Sequence, residues 1–287
     1  MSRLTRGIMT VVAASAVALG MLTAPAHAAE TTRYVSLGDS FVAGPLITLP
    51  SGSPLGCLKS KKNYPSLIAR DLGVDEFVDV SCSGAQTEDM FASQKTALGT
   101  NAPQLNALNA DTTLVSIGIG GNDIGFADLL VTCVTRSIRN PGGSPCKELF
   151  VDPTTGDDEL RARVDETAPK VAAVLAEIVT RAPNAQIVFV GYPAVLPEST
   201  GCFPRVPIAR GDVAYLDGVE RYLNSMLQEV TAEYGATYVD VYERGHDVCS
   251  SRDDRWVEGI IPTRPAAPVH PNAQGMDAIA DVVLSYL

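Results

Sequence analysis

Two residues far apart in the chain have the chemistry of a nucleophile and a base. Ser40 follows a short apolar run at 34–37 that is broken by Gly38 and Asp39. In open α/β folds ligands bind at the carboxyl edge of the sheet, so a serine at this strand end could meet a substrate. A serine hydroxyl needs a neighbouring base to take its proton, and we predict that His270 is this base, because an imidazole titrates near neutral pH.

Acyl transfer also needs hydrogen-bond donors for the oxyanion that forms on the substrate. We predict three: the backbone N–H groups of Ser40 and Gly84, and the side-chain amide of Asn122 in the block Gly-Gly-Asn-Asp at 120–123. Losing one such donor typically slows a reaction by about a hundred- to a thousandfold. Each residue alone also has a structural interpretation, because Ser40 could be a helix cap and 120–123 could be a turn before a helix.

The elements that must position these residues follow from hydrophobic periodicity. Five short apolar runs predict strands, and amphipathic stretches between them predict helices, the longest containing Pro169 as a kink or break. The predicted strands are 34–37, 77–81, 113–118, 186–191 and 237–241; the predicted helices are 64–72, 102–108, a segment ending near 133, 159–182, 212–234 and one that begins after Asn272. Alternating strands and helices predict an α/β fold with a five-stranded parallel sheet, helices on both faces and a single domain.

The first 28 residues have the layout of a secretory signal peptide. Arg3 and Arg6 precede an apolar run, and Ala26-His27-Ala28 provides an A-x-A cleavage site, so we expect removal of 1–28 and one domain at 29–287. An uncleaved anchor helix is the alternative. The expected product is extracellular, without a stable membrane anchor, and its net charge is 20 − 33 = −13 once two of the 22 basic residues are gone. With no Lys/Arg run, nucleic-acid binding is not expected.

Cysteine usage fits an oxidising compartment. An even count of six after an export signal predicts three disulfides, and fifteen pairings are possible in principle. We predict sequential pairs because each then closes a local loop: Cys57–Cys82, Cys133–Cys146 and Cys202–Cys249. No C-x-x-C is present and only two histidines follow the signal segment, so no metal site is predicted.

The order of the four blocks resembles the SGNH (GDSL-type) hydrolase superfamily, specifically its secreted bacterial lipases with three disulfides. Gly38-Asp39-Ser40 is similar to the nucleophile block of that family, and Val269-His270-Pro271-Asn272 to its histidine block. The segments around Gly84 and 120–123 are similar to its oxyanion segments. The resemblance implies a three-layer α/β/α sandwich of flavodoxin-like type. The G-x-S-x-G elbow of the other large serine-hydrolase fold is not present.

One position departs from the family pattern. Many SGNH enzymes place an aspartate three residues before the histidine, and Ala267 stands there instead. We therefore predict that the backbone carbonyl of Ala267 holds Nδ1–H of His270, with Asp123 or Asp253 as possible carboxylates from elsewhere in the chain. His246 beside Asp247 is a rival base, which we predict to be structural or at the rim of the site.

The predicted function is a secreted serine ester hydrolase of lipase or esterase type that cleaves acyl esters of lipids through an acyl-serine intermediate. No cofactor is expected, the partner is an acyl ester or lipid substrate, and the protein is expected to be a monomer. The alternatives are a phospholipase, a polysaccharide O-acetyl esterase, or a non-catalytic secreted binding protein. A flavin or nucleotide binder is disfavoured because no G-x-G-x-x-G follows the first strand.

Overall fold

The computed structural model describes residues 31–287. The predicted signal peptide at 1–28 lies outside the described residues. Thr31–Leu287 form one compact unit. Its strands are β1 Arg33–Gly38, β2 Glu76–Asp79, β3 Gln94–Thr96, β4 Gly99–Asn101, β5 Leu114–Gly118, β6 Gln186–Val190 and β7 Thr237–Val239. Its α-helices are α1 Ser40–Ala43, α2 Tyr64–Leu72, α3 Phe126–Arg139, α4 Lys147–Phe150, α5 Glu159–Arg181, α6 Arg210–Glu233 and α7 Ala273–Leu284.

The main sheet contains five parallel strands in the order β2-β1-β5-β6-β7. β1 is an interior strand and is buried from Tyr34 onward, as expected for a mainly apolar strand in a sheet covered on both faces. Gly38 and Gly118, the last residues of β1 and β5, are register partners. The segments that follow these two strands therefore leave the same edge of the sheet side by side.

Helices cover both faces of the sheet. One apolar core includes Ile68 of α2, Met276 and Val283 of α7, and Tyr34. The other lies beneath α3, α5 and α6, and includes Leu175 and Leu227. The prediction of an α/β fold with a five-stranded parallel sheet and helices on both faces is confirmed.

Some local predictions were wrong. β3 and β4 form an antiparallel hairpin where no strand was predicted, and the helix predicted at 102–108 is only the 3₁₀ turn Gln104–Ala107. α5 runs without a break through Pro169, and α3 extends past Cys133 to Arg139. The hairpin has mainly polar residues and few strand-forming side chains, so its sequence carries little signal.

Three disulfides fasten the loops, with the predicted pairing: Cys57–Cys82, Cys133–Cys146 and Cys202–Cys249. The first joins the loops that follow β1 and β2, and the third joins two long loops after β6 and β7. The second joins α3 to the residue before α4, so the first and third bridges are the ones that tie segments at the carboxyl edge of the sheet. Within residues 31–287, no helix is long and apolar enough to cross a bilayer.

Candidate active site

Ser40 stands where β1 turns sharply into α1. Gly38 has φ of +143°, and a Cβ on it would lie 2.4 Å from Cγ2 of Val42, so this corner requires glycine. Asp39 caps α1 by accepting a hydrogen bond from the N–H of Phe41 at 2.8 Å. Ser40 is thereby fixed as the first residue of the helix, 8% exposed.

The structure brings Ser40 and His270 together from 230 residues apart. Oγ of Ser40 lies 2.7 Å from Nε2 of His270, and Nδ1 lies 2.8 Å from the carbonyl oxygen of Pro268. A carbonyl can only accept, so Nδ1 carries the proton and Nε2 has a free lone pair. This tautomer can accept the hydroxyl proton of Ser40.

The carbonyl that orients the imidazole was predicted to be that of Ala267, and this prediction was wrong. The Ala267 oxygen accepts the backbone N–H of His270 at 3.2 Å, closing a four-residue turn. Pro268 at its second position and Val269 with φ of +58° at its third match a type II turn. Because the turn occupies the oxygen of Ala267, the next carbonyl along the chain, that of Pro268, receives Nδ1–H.

A buried charged residue, Glu258, holds the loop at 267–270 that carries His270, here called the histidine loop. The backbone N–H of Glu258 donates to the oxygen of His270 at 3.0 Å. Its carboxylate lies 3.6 Å from Arg255 and accepts a 2.9 Å hydrogen bond from the Asn272 amide. Asn272 also caps α7 by accepting the N–H of Gly275. The histidine loop is thus joined to the start of α7.

The ring of His270 packs on that of Phe41, with centroids 4.9 Å apart. Burial lowers the pKa of His270 from its ordinary 6.5, and the hydrogen bond with Pro268 opposes this shift only in part. A lowered pKa keeps the imidazole neutral, and therefore able to accept a proton, over a wider pH range.

The three predicted oxyanion donors line the same cavity as His270. Gly84 has φ of +78°, in the left-handed region that favours glycine. Among residues 31–287, the N–H groups of Ser40 and Gly84 have no hydrogen-bond acceptor. One N–H of the Asn122 amide donates to the oxygen of Ala85 at 2.9 Å, which fixes its orientation and leaves the second N–H for a ligand.

The remaining candidates of the sequence analysis have other partners. Asp123 accepts from the backbone and hydroxyl of Thr87, so it ties together the two oxyanion segments and does not bond His270. Asp253 pairs with Arg264. His246 stacks on Trp256, with ring centroids 4.1 Å apart, and does not line the cavity.

Tyr192, which sequence reasoning missed, links three strand ends. Its hydroxyl accepts the N–H of Gly121 at 2.8 Å and donates to Asp39 at 2.6 Å. Its own backbone is held on both sides by the Asn224 amide at 2.9 Å. Burial raises the pKa of Asp39 to about 7. The only sequence signal was a tyrosine two residues beyond a strand.

Gln104 is a second missed residue. Its fully buried side-chain amide accepts the N–H of Gly38 at 2.8 Å and donates to the oxygen of Gly38 at 3.0 Å. This pair of hydrogen bonds holds the peptide that immediately precedes the Asp39-Ser40 corner. Nothing in the local sequence distinguishes this glutamine from a surface residue.

A cavity of about 280 Å³ extends from Ser40 and His270 between α3, α6 and the loops after β6 and β7. Its wall beyond Tyr192 is mostly apolar, formed by Leu129, Leu130, Val195, Leu196, Val206, Ile208, Leu216, Val219, Leu223 and Val248. An aliphatic chain is the complementary ligand for such a surface. Across residues 31–287, no cluster of three or more His, Cys, Asp or Glu side chains could hold a metal ion.

Known lipases are similar to this chain in sequence. The model of the GDSL-like Lipase/Acylhydrolase family matches residues 36–278. Lipase 2 of Streptomyces coelicolor is 38% identical over 289 residues, covering 97% of this chain and 95% of its own.

Two solved structures are similar over nearly the whole chain. The extracellular lipase of Streptomyces rimosus is 30% identical with a TM-score of 0.74, covering 89% of this chain and 100% of its own. Phospholipase A1 of Streptomyces albidoflavus is 29% identical with a TM-score of 0.72, covering 90% and 100%.

Proposed function

This chain belongs to the GDSL-like lipase/acylhydrolase family and is an ester hydrolase, and from this premise we propose that it is a secreted enzyme that cleaves acyl esters of lipids through an acyl-serine intermediate. Ser40 is the nucleophile and His270 the general base. The observation that carries the proposal is the 2.7 Å contact between Oγ of Ser40 and Nε2 of His270 at one end of an apolar cavity.

In the acylation step, Oγ of Ser40 attacks the ester carbonyl carbon while Nε2 of His270 takes the hydroxyl proton. The carbonyl π bond opens to a tetrahedral oxyanion. Collapse of this intermediate breaks the bond to the alcohol oxygen, which receives the proton from the imidazolium. The products are an acyl-Ser40 ester and a free alcohol.

In the deacylation step, water attacks the acyl-serine carbonyl while Nε2 of His270 takes one of its protons. The second tetrahedral intermediate expels Oγ of Ser40, which regains the proton from the imidazolium. The fatty acid leaves and the enzyme returns to its starting state, so atoms and charges balance over the cycle.

We assign the oxyanion site to the N–H groups of Ser40 and Gly84 and the amide of Asn122. Donors that are already fixed before the reaction stabilise developing charge without reorganising. The free N–H groups of Ser40 and Gly84 and the Asn122 amide held by Ala85 support this assignment.

Ser40 and His270 form a dyad in which a backbone carbonyl, and not a carboxylate, orients the imidazole. We call this arrangement the carbonyl dyad. The oxygen of Pro268 fixes the tautomer and the ring, but it carries no full charge. It therefore stabilises the imidazolium of each transition state less than an aspartate would.

A medium acyl chain is the substrate feature that the cavity favours. The cavity has a volume of about 280 Å³ and a mostly apolar wall, which suits an alkyl chain of several carbons. An acetyl group would leave most of it empty, which disfavours a polysaccharide O-acetyl esterase. A phospholipase remains the second candidate, since one similar structure is a phospholipase A1.

Secretion, removal of residues 1–28 and a single monomeric domain from residue 29 belong to the same proposal. The A-x-A site, the three disulfides and the similarity to an extracellular lipase support it.

The test compares mature wild-type protein with Ser40→Ala on p-nitrophenyl esters of increasing chain length and on phosphatidylcholine. We expect Ser40→Ala to keep its circular dichroism spectrum and to lose at least about a thousandfold in kcat. Full activity in this variant would show that Ser40 is not the nucleophile. Preference for phosphatidylcholine over neutral esters of the same chain would select the phospholipase.

A further inference from the structure

One wall of the apolar cavity contains a carboxyl group that the proposed reaction does not use. Glu220 belongs to α6 and lines the cavity together with Leu216, Val219 and Leu223 of the same helix. On the other side of the cavity, α3 presents Leu129 and Leu130. A carboxyl group at such a position is unusual, because it breaks a surface otherwise suited to an alkyl chain.

Within residues 31–287, the carboxyl of Glu220 has a single hydrogen-bond partner. Its two oxygens lie 3.3 and 3.1 Å from the backbone nitrogen of Val195. That N–H can satisfy only part of the hydrogen-bonding capacity of a carboxyl group. The rest of this capacity is directed to no other group of the described chain.

The cations near Glu220 are bound to a different carboxylate. Asp217, one turn earlier on α6, forms ion pairs with Arg221 at 3.0 Å and Arg244 at 2.5 Å. It also accepts the hydroxyl of Tyr242. Within residues 31–287, no cation forms an ion pair with Glu220, which disfavours the ionised form.

Burial and nearby acids act on Glu220 in the same direction. Desolvation raises its pKa well above 4.5, and the negative charges of Asp217 and Asp247 add to this shift. The N–H of Val195 and the charge of Arg244 oppose it without reversing it. The carboxyl group of Glu220 therefore holds its proton more tightly than a carboxyl group in water does, and it can bond a hydroxyl group as a donor when protonated and as an acceptor when ionised.

We propose that the carboxyl group of Glu220 forms a hydrogen bond with a hydroxyl substituent on the acyl chain, so that the enzyme prefers hydroxylated acyl esters over plain alkyl esters. This inference rests on the proposed function, since it assumes that the acyl chain occupies this cavity. The substituent must lie on the part of the chain that passes α6, so the preference depends on its position. An unsubstituted chain would cover the carboxyl group and leave its remaining hydrogen-bonding capacity without a partner, which is unfavourable in an apolar wall.

The test measures kcat/KM for p-nitrophenyl decanoate and for decanoates with one hydroxyl at successive carbons of the outer half of the chain. Wild-type enzyme should prefer one hydroxyl position over the unsubstituted ester by about fivefold, the effect of one hydrogen bond. Equal rates at every position, or a preference that does not depend on position, would overturn the proposal.

Three variants separate recognition from structure. Glu220→Gln keeps an acceptor for the N–H of Val195 and a donor toward the cavity, so it should keep the preference. Glu220→Met removes the hydrogen-bonding group and should lose the preference, whereas the matched cavity control Leu223→Met should not change the preference. A structural role alone would alter the rates of both esters and leave their ratio unchanged in Glu220→Met.

The same assay distinguishes this inference from the proposed function. If wild-type enzyme cleaves p-nitrophenyl decanoate through Ser40 but has no preference for a hydroxyl position, the proposed function stands and the role of Glu220 is wrong. If it cleaves none of these esters, both are wrong.

Discussion

The imidazole of His270 has two ring partners of different kinds, a hydroxyl at Nε2 and a backbone carbonyl at Nδ1. The carbonyl belongs to a turn whose third residue, Val269, has φ of +58°. A β-branched residue in this region costs on the order of 1–3 kcal/mol. The fold therefore keeps an unfavourable backbone angle in the turn that orients the base proposed for catalysis, as expected where geometry serves function.

The pH dependence of catalysis follows from the environment of this ring. Burial lowers the pKa of His270, so its neutral form persists to lower pH than that of a free imidazole. In a profile of kcat/KM against pH, which reports groups of the free enzyme, we expect the acid limb to have its midpoint below 6.5. A midpoint clearly above 6.5 would contradict the carbonyl dyad and indicate a carboxylate partner.

Asn122→Ala tests the oxyanion site. Because the amide acts on charge that develops in the transition state, kcat should fall by about a hundred- to a thousandfold with little change in KM. Asn140→Ala, at an exposed site after α3, is the control and should match wild type. A loss expressed mainly in KM would place Asn122 in ground-state binding instead.

At this scale the sequence indicated which residues of the proposed site lie together better than it indicated their hydrogen-bond partners. Ser40, Gly84, Asn122 and His270 follow elements that periodicity could place, and all four line one cavity. The partner of Nδ1 could not be predicted, because the choice between Ala267 and Pro268 depends on turn geometry. Glu220 was missed because an acid on an amphipathic helix normally faces water.

At the scale of elements, the parallel sheet positions the segments that carry the residues of the proposed site. Register pairing of Gly38 with Gly118 aligns the ends of β1 and β5, and β6 ends beside them. The hydroxyl of Tyr192 then joins the segments after all three strands through Gly121 and Asp39. These two hydrogen bonds fix the Asp39-Ser40 corner relative to the segment that begins at Gly121.

Tyr192→Phe tests the two hydrogen bonds that the Tyr192 hydroxyl forms with Gly121 and Asp39. Removing its hydroxyl leaves the N–H of Gly121 without an acceptor, so we expect a loss of about 1–3 kcal/mol in the free energy of unfolding and a lower kcat. Tyr238→Phe is a matched control, because within residues 31–287 its buried hydroxyl has no partner. Denaturant titration and ester kinetics should show little change in the control. Equal effects of the two substitutions would contradict the role of Tyr192.

Long, strongly periodic elements were predictable and short ones were not. The five strands and the helices α2, α5, α6 and α7 match their predicted positions closely. The hairpin β3–β4 and the 3₁₀ turn at Gln104 have weak local signals, and contacts distant in sequence determine them. Gln104 illustrates this, since it holds Gly38 across 66 positions.

At the scale of the whole molecule, the protein is acidic and buries several carboxyl groups. The formal net charge is −11, and burial raises the pKa of Asp39, Asp79, Asp123 and Glu220. Each of these groups binds its proton more tightly in the folded state than in the unfolded state. Their combined effect makes folding less favourable as pH rises through the range in which they ionise.

Asp39→Asn isolates one such contribution. The folded pKa of about 7 exceeds the ordinary 3.8, so stability from this group is fully present below about pH 4 and is lost as pH rises toward 7. As pH rises over this range, the free energy of unfolding of wild type should therefore fall relative to that of Asp39→Asn by up to about 4 kcal/mol. Urea titrations at pH values across this window measure the difference. A constant difference would contradict the raised pKa.

Labelling with a fluorophosphonate tests the central claim most directly, because this reagent forms a stable adduct with an activated serine. After proteolysis and mass spectrometry, the wild-type protein should have one adduct, on Ser40. Ser40→Ala should have none, and His270→Ala should react far more slowly. An adduct on another residue, or labelling of Ser40→Ala at the wild-type rate, would contradict the account.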